Sequence, residues 1–404
     1  MISAVCERTE KMKNKLSGKN ILKRIDWLLV AIVFVLVLMG VIAIMSATVP
    51  AYSDEEMTFA EYISNLDYSY AGLQLGFFGI SIVVVIVILL IDYNNLRDFS
   101  NIIYWVAVAM LVAVLIFGSN QRGMVGWFMI GNRGFQPGEF CKIAIIIVLA
   151  KELAQQTEGK NDGIQRFHDV WPLVWKFAIP FVLILMQPDW GTAIVYAFIF
   201  AGMLFMAKTS FKILGTFLAG ALALLPIGWL LMTPDQQKRI LVFLDPTKDP
   251  EGAGFQVLRS KIVGSSGGLN GKGFFSEDLL TQQSNYLPDN HTDFIFSSTI
   301  EAIGLIGGIL LILLYLFLIL RMVQLSMRAK DDFGCYIIIG VSFMLLFHIF
   351  ENIGMNIGLM PVTGIPLPLF SYGGSNILTT MIAIGFVLNV NMRRVRYGSL
   401  GGNV

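Results

Sequence analysis

Residues 27–48 read WLLVAIVFVLVLMGVIAIMSAT, an apolar run with no charged side chain. Its 22 residues match the length of about 20 that a helix needs to cross the hydrocarbon core of a bilayer. Similar runs recur along the chain, and 55% of the 404 residues are hydrophobic while 14% are charged. A soluble globular protein has more charge than this. We therefore predict an all-α polytopic membrane protein with about ten transmembrane helices.

The first run lacks a small-residue cleavage site, so we interpret it as a retained span rather than a signal peptide. The predicted spans lie at 27–48, 71–91, 101–118, 139–156, 171–188, 191–207, 212–232, 294–320, 334–355 and 376–391. They divide the chain into a basic cytoplasmic tail (1–25), spans one to seven (26–232), a large extracytoplasmic loop (233–293), spans eight to ten (294–392) and a second cytoplasmic tail (393–404).

The distribution of Lys and Arg predicts the orientation. The N-terminal tail, the C-terminal tail and the loops on the same side carry 19 of them, whereas the short loops on the other side carry Arg122 and Arg133. Both termini are therefore expected in the cytoplasm. The net charge of +1 says nothing about nucleic acid, and no Lys/Arg-rich tract resembles a DNA-binding arm, so we expect no nucleic-acid partner. The three cysteines, Cys6, Cys141 and Cys335, form neither a disulfide framework nor a metal-binding spacing.

Residues 356–375, NIGLMPVTGIPLPLFSYGGS, are too apolar for an ordinary loop and too rich in Pro and Gly for a helix. Non-helical backbone at membrane depth persists only where protein or a water-filled cavity covers it. The segment is therefore predicted to be re-entrant and to line a cavity.

The stretch 286–298, YLPDNHTDFIFSS, places ionisable residues directly before the eighth span. Asp293 at this boundary has two interpretations: a general base whose pKa burial would raise, or, like Thr292, a helix N-cap. His291 is either a group that polarises its neighbours or a surface histidine.

Other ionisable groups lie inside predicted spans. Glu301 is eight residues beyond Asp293 and should face the bundle interior, as a functional group or as a structural hydrogen-bond acceptor. Glu139 and Lys142 are three residues apart and can pair on one helical face, as a plain ion pair or as a polar cavity wall. Asp189 lies in a very tight turn between two spans, and turn formation is its favoured role.

The large loop carries cations that could clamp a phosphate group, although solvated side chains balanced by acidic neighbours are the simpler interpretation for most of them. They are Lys238, Arg239, Lys248, Arg259, Lys261 and Lys272. The stretch SSGGLNGKGF (265–274) looks like a phosphate-binding loop but has Ser266 and Gly273 at two defining positions. We therefore expect no nucleotide cofactor.

Five motifs together resemble the SEDS proteins of bacterial shape, elongation, division and sporulation. They are NRGFQPGEFCKIA, QPDWGTA, ILVFLDPTKDPEGAGFQVLRSKIVGSSGGLNGKGF, YLPDNHTDFIF and NIGMNIGLMPVTGIPLPLFSYGGS. They follow the family's order along the chain, and the last is most similar to the RodA branch.

The resemblance implies a bacterial cell-membrane peptidoglycan glycosyltransferase with ten transmembrane helices. The substrate implied is lipid II, and the implied partners are a class B penicillin-binding protein transpeptidase and other membrane proteins of the elongation machinery. It also implies that Asp293 is catalytic. We expect His291, Thr292 and Glu301 to support the catalytic Asp293. For substrate binding we expect Gln136, Glu139, Lys142, Arg239, Lys272, Ser371 and Tyr372.

The predicted reaction is inverting transfer, with Asp293 as general base and undecaprenyl pyrophosphate as leaving group. Arg239, Lys272 or a divalent cation, Mg²⁺ or Mn²⁺, would neutralise the pyrophosphate. Two alternatives stay open. A polar cavity inside the bilayer would also serve a flippase for lipid-linked oligosaccharides, and a scaffold for the cell-wall machinery would need no base.

Overall fold

The structure is a computed structural model, and it describes residues 24–48, 68–121, 124–131, 133–160, 162–249, 252–283 and 286–394. Several predictions concern residues outside these ranges: nearly all of the basic tail with Cys6, Arg122, most of the C-terminal tail, and residues 49–67. The side chain of Arg133 lies outside the description as well.

Twelve α-helices and three short strands make up the described chain. The helices are α1 (Trp27–Ala47), α2 (Tyr68–Leu90), α3 (Tyr93–Phe117), α4 (Pro137–Thr157), α5 (Phe167–Met186), α6 (Trp190–Met206), α7 (Phe211–Leu231), α8 (Pro234–Leu244), α9 (Ala253–Ser266), α10 (Ile295–Ser326), α11 (Asp332–Ile357) and α12 (Gly374–Met392). Strands β1 (Ser119–Gln121), β2 (Met124–Ile130) and β3 (Arg133–Phe135) form an antiparallel sheet in the order β1-β2-β3 between α3 and α4. Short 3₁₀ turns lie at Pro246–Lys248 and Leu280–Gln282.

The ten predicted spans coincide with α1 to α7 and α10 to α12, so the predicted fold class is confirmed. Eight of these helices are long and apolar enough to cross a membrane. The other two are α6, which has 17 residues, and α4, which carries Glu139, Lys142, Lys151 and Glu152. Helix α3 starts earlier than predicted, because the Asp92 carboxylate accepts a hydrogen bond from the Asn94 N–H and caps a polar first turn.

Helices α4, α11 and α12 are largely buried, and α11 packs against α4, α6, α10 and α12. The outer helices instead expose large apolar side chains, as on α7, where Ile213 is the buried residue. A soluble protein does not leave so much apolar surface in water, so the exposed faces are those that contact lipid.

The segment after α11 is non-helical from 358 to 373 and packs into the bundle. Tyr315 of α10 donates a hydrogen bond to the Pro368 carbonyl at 2.7 Å. A Cβ on Gly40 of α1 would lie 2.6 Å from the Phe370 carbonyl oxygen, so the two backbones touch. Protein covers the segment as a re-entrant element requires, while the bilayer depth it reaches stays a prediction.

Candidate active site

The HTD segment, residues 291–293, lies at the end of a turn that leads into α10. Asp289 starts the turn with a left-handed φ of 58°, and its carbonyl accepts hydrogen bonds from the N–H groups of Thr292 and Phe294. The N-cap position of α10 is Phe294, so neither Thr292 nor Asp293 occupies it. The turn leaves His291, Thr292 and Asp293 partly exposed.

Two carbonyls of this segment are anchored on residues 371–372. The His291 carbonyl accepts from the Tyr372 N–H at 3.0 Å, and the Thr292 carbonyl accepts from Ser371 Oγ at 2.7 Å. Ser371 is fully buried, and its Oγ also accepts from the Leu367 N–H at 2.8 Å. The predicted residues Ser371 and Tyr372 therefore meet the HTD segment, through main-chain anchoring.

The third carbonyl, that of Asp293, is held by α11. Asn352 Nδ2 donates to it at 3.0 Å and Asn356 Nδ2 at 2.9 Å. The Asp293 carboxylate faces the non-helical segment, because a Cβ added to Gly364 would lie 3.5 Å from Asp293 Oδ2. Gly364 has a φ of 78°, a conformation that favours glycine.

The imidazole of His291 lies against two tyrosine rings. Its centroid is 4.8 Å from that of Tyr70 and 5.9 Å from that of Tyr372. Burial lowers the pKa of His291, and the nearby charge of Asp289 opposes the shift in part. The imidazole is therefore neutral at neutral pH.

Arg239 of α8 reaches the same segment, and its Nη1 donates to the Val362 carbonyl at 3.3 Å. This contact lies two residues from Gly364, on the stretch that faces Asp293. Lys272 is engaged elsewhere. Its Nζ is 2.8 Å from Glu301 Oε1 and 2.9 Å from the Asp278 carbonyl.

Glu301 is fully buried and saturated with hydrogen bonds. Besides Lys272, its carboxylate accepts from Ser266 Oγ, from the Leu280 N–H, and from the N–H and Oγ1 of Thr281. These donors belong to the loop before α10. These contacts match the structural alternative, in which Glu301 fastens the loop before α10 to the bundle.

A second polar group lies near the start of α4. Lys142 Nζ is 2.6 Å from Glu139 Oε1, as the predicted pairing requires, and 3.0 Å from His348 Nε2 of α11. Lys142 and Glu139 are both buried. Since Lys142 already donates to a carboxylate and an imidazole, its charge is compensated inside the protein.

Gln136, the residue before α4, joins this group to the turn before α6. Its Nε2 donates to Asp189 Oδ2 at 3.1 Å. The other Asp189 oxygen accepts from the Thr192 N–H, so Asp189 caps α6, in agreement with the turn-forming role favoured from the sequence. Burial raises the pKa of Asp189, although the hydrogen bonds from Thr192 act in the opposite direction.

Glu351, on the same helix as His348, contacts the segment that faces Asp293. Its Oε1 accepts from Thr363 Oγ1 at 2.9 Å, and Thr363 precedes Gly364. Four polar residues of α11 were not predicted as site residues from the sequence: His348, Glu351, Asn352 and Asn356. All four are buried polar residues within nine positions of an apolar helix, and intramembrane polar side chains are themselves a signal of function.

Comparison with known proteins decides the family. The profile of the FtsW/RodA/SpoVE family, described as "Cell cycle protein", matches residues 26–396. The chain belongs to the FtsW/RodA/SpoVE family. It is 35% identical to the peptidoglycan glycosyltransferase MrdB of Escherichia coli over 335 residues, which are 82% of this chain and 88% of MrdB. It is 34% identical to stage V sporulation protein E of Bacillus subtilis, covering 92% of this chain and 98% of that protein.

Solved structures of this FtsW/RodA/SpoVE fold agree. One belongs to a peptidoglycan synthase complex studied for the coordination of polymerization and crosslinking. It superposes with a TM-score of 0.74 at 28% identity, over 92% of this chain and 98% of that chain. The rod shape determining protein RodA of Thermus thermophilus superposes with a TM-score of 0.67 at 26% identity, over 92% and 98% of the two chains.

A divalent cation such as Mg²⁺ needs oxygen ligands. Among the described residues, no group of three His, Cys, Asp or Glu side chains is placed to hold a metal ion. Mg²⁺ is often bound by one or two carboxylates together with substrate phosphates. Asp293 would supply one such carboxylate to a cation that also binds the substrate's phosphates.

Proposed function

We propose that this chain, a peptidoglycan glycosyltransferase like the relatives it matches, polymerises lipid II into glycan strands for cell elongation and rod shape. Asp293 is the general base. The observation that carries this proposal is the anchoring of three consecutive carbonyls, those of residues 291 to 293, on the buried scaffold. Such anchoring fixes the carboxylate at a partly exposed position beside Gly364.

The reaction is an inverting transfer. The carboxylate of Asp293 accepts the proton of the 4-hydroxyl group on the acceptor's GlcNAc while that oxygen attacks the anomeric carbon of the donor's MurNAc. The bond to undecaprenyl pyrophosphate breaks, and its electron pair leaves with the pyrophosphate. A single displacement converts the α-linked donor into a β-linked product, as in inverting glycosidases.

The leaving pyrophosphate needs positive charge. Arg239 is better placed for this role than Lys272, because it contacts the stretch that faces Asp293, whereas Lys272 is paired with the buried Glu301. Gln136, Glu139 and Lys142 form a polar wall of the cavity and bind the sugar or peptide portion of the substrate. Ser371 and Tyr372 shape the site through the HTD segment.

The partner proposed is a class B penicillin-binding protein, which crosslinks the strands as they form; other membrane proteins of the elongation machinery join the complex. The support is the similar chain solved within a peptidoglycan synthase complex. Both termini lie in the cytoplasm, because 19 Lys and Arg residues mark that side. The large loop and the HTD segment then meet lipid II at the outer leaflet.

Reconstitution tests the function. Purified protein with its penicillin-binding partner and lipid II should form glycan strands, and Asp293→Asn should lower the rate by about 10²- to 10⁴-fold. Asp289→Asn is the matched control, since it makes the same change in the same turn and asparagine tolerates a positive φ. Polymerisation at the wild-type rate by Asp293→Asn contradicts the general base. Lipid II crossing vesicle membranes without polymer would favour a flippase, and full support of growth by the variant would favour a scaffold.

A further inference from the structure

The start of α10 is capped by a residue from another helix. In an ordinary helix, a Ser, Thr, Asn or Asp at the N-cap accepts a hydrogen bond from the N–H of the second or third helical residue. The N-cap of α10 is Phe294, which has no acceptor, and Ser297 is the third residue of the helix. The Ser297 N–H instead donates to Asn356 Oδ1 of α11 at 3.0 Å.

The same amide group also holds the residue before the cap. Asn356 Nδ2 donates to the Asp293 carbonyl at 2.9 Å. If the helix ran on continuously, the Ser297 N–H would donate to that carbonyl directly. The amide of Asn356 therefore takes the place of one helical hydrogen bond, satisfying both groups that the break at Asp293 separates.

A second amide, one turn earlier on α11, ties Asp293 to the segment that its carboxylate faces. Asn352 Nδ2 donates to the Asp293 carbonyl at 3.0 Å and to the Ile365 carbonyl at 2.8 Å. Ile365 follows Gly364, whose Cα is next to the carboxylate. Both asparagines are buried, and Asn356 Nδ2 also donates to the Asn352 carbonyl.

We infer that Asn356 and Asn352 are positioning residues for the general base Asp293. Asn356 lets the chain leave the helix at Asp293 without an unsatisfied backbone group, and Asn352 fixes the distance between Asp293 and the facing segment. In this role neither asparagine side chain contacts the substrate. This inference rests on the proposed function, because it assigns a role relative to the base.

The test measures kcat and KM for lipid II polymerisation by the reconstituted complex. Asn356→Ala should lower kcat by about 10²-fold, the cost of a misplaced reacting group, and should leave KM unchanged. Asn389→Ala is the matched control. It removes another buried amide that bonds backbone carbonyls, those of Ile88 and Ile91, at the far end of the bundle. The control should lower the melting temperature and leave kcat unchanged.

A double-mutant comparison separates positioning from a general structural effect. Asp293→Glu displaces the carboxylate by one methylene and leaves a measurable rate. On that background, Asn356→Ala should add less than about a threefold loss, because the placement it protects is already lost. The positioning role is wrong if Asn356→Ala lowers kcat as much on the Asp293→Glu background as in the wild type. It is also wrong if Asn356→Ala alone does not change kcat.

Asn352→Ala provides a second test of the positioning role. If Asn356→Ala does not fold, Asn352→Ala replaces it, since that variant leaves the cap on Ser297 intact and should show the same loss of kcat. Failure of the proposed function has a different signature, namely wild-type polymerisation by Asp293→Asn. Failure of the inference alone is an inactive Asp293→Asn together with full kcat in both asparagine variants.

Discussion

Glu301 Oε1 lies 2.8 Å from Lys272 Nζ, and the lysine belongs to the loop that precedes the helix of the glutamate. The carboxylate has no exposed surface, while the lysine side chain is 23% exposed. Four more donors from Ser266, Leu280 and Thr281 complete its shell. Glu301 is therefore the point at which three parts of the loop are fastened to α10.

This asymmetry predicts unequal effects of the two partners. Glu301→Ala should lower stability by about 3–5 kcal/mol, because it leaves a partly buried cation without its counter-charge and several loop donors without an acceptor. Lys272→Ala should cost less, since four other donors still bond the carboxylate. Thermal unfolding in detergent measures both. Equal losses would show that the ion pair alone carries the effect.

The interruption of α10 at Gly304, where the backbone is not helical, makes a second prediction. Gly304 has a φ of 71°, and an added Cβ would lie 2.3 Å from the Gly271 nitrogen and 2.4 Å from the Leu269 carbonyl oxygen. Gly304→Ala should therefore cost more than about 2 kcal/mol, because the clash adds to a backbone strain of about 1–3 kcal/mol, and should abolish polymerisation. Gly220→Ala in α7 is the control, since nothing lies within 4 Å of its added Cβ. A stable, active Gly304→Ala would mean that the loop does not need this close approach.

The buried ion pair near the start of α4 makes a third prediction. Lys142→Met should destabilise the protein by about 3 kcal/mol or more, because Glu139 then stays buried without its cation. The double variant Glu139→Gln with Lys142→Met should recover part of the stability and none of the activity, since the polar wall of the site is lost. Melting temperature and polymerisation rate are measured on the same preparations. Full activity of the double variant would remove this pair from the site.

The pH dependence of stability should reveal the ion pair between the start of α1 and α10, where Arg321 Nη2 lies 2.5 Å from Asp26 Oδ2. Burial raises the pKa of Asp26, but hydrogen bonds from Arg321 and the Leu29 N–H and the charge of Arg321 outweigh it, so the pKa lies below its usual 3.8. A lowered folded-state pKa gives stability that is present above the unfolded value and is lost as pH falls through the folded one.

Asp26→Asn should therefore melt several degrees below the wild type at neutral pH. The difference should shrink as the pH is lowered below about 4. The measurement is the melting temperature of both proteins across this range. A difference that stays constant with pH would show that the charge of Asp26 does not contribute.

The apolar runs predict the bundle because a segment in lipid must satisfy all of its backbone hydrogen bonds internally. This requirement makes each segment an α-helix, and the bilayer thickness sets its length. The rule does not apply to α8 and α9, because their 11 and 14 residues are too few to cross the bilayer. The charged motifs point to the HTD segment, and the structure joins it to Ser371 and Tyr372.

The roles of Asn352 and Asn356 could not be predicted in the same way. They bond Asp293 across 59 and 63 residues of sequence, so their function depends on how α10 and α11 pack. The sequence does contain a hint, since buried amides are rare in membrane-spanning helices. It does not tell which backbone group such an amide serves. Lys272 is the opposite case. The sequence marked it as a candidate to bind phosphate, but in the structure it is paired with Glu301.

The interruption at Gly304 has a consequence for the order of synthesis. The N–H groups of Leu305 and Ile306 donate to the carbonyls of Gly268 and Leu269, and in hydrocarbon an unsatisfied group of this kind costs several kcal/mol. The ribosome makes the loop before it makes α10, so the acceptors are already in place when the helix leaves the translocon. A circular permutant that delivers the loop last would have to insert a helix with two open backbone donors, and it should integrate poorly.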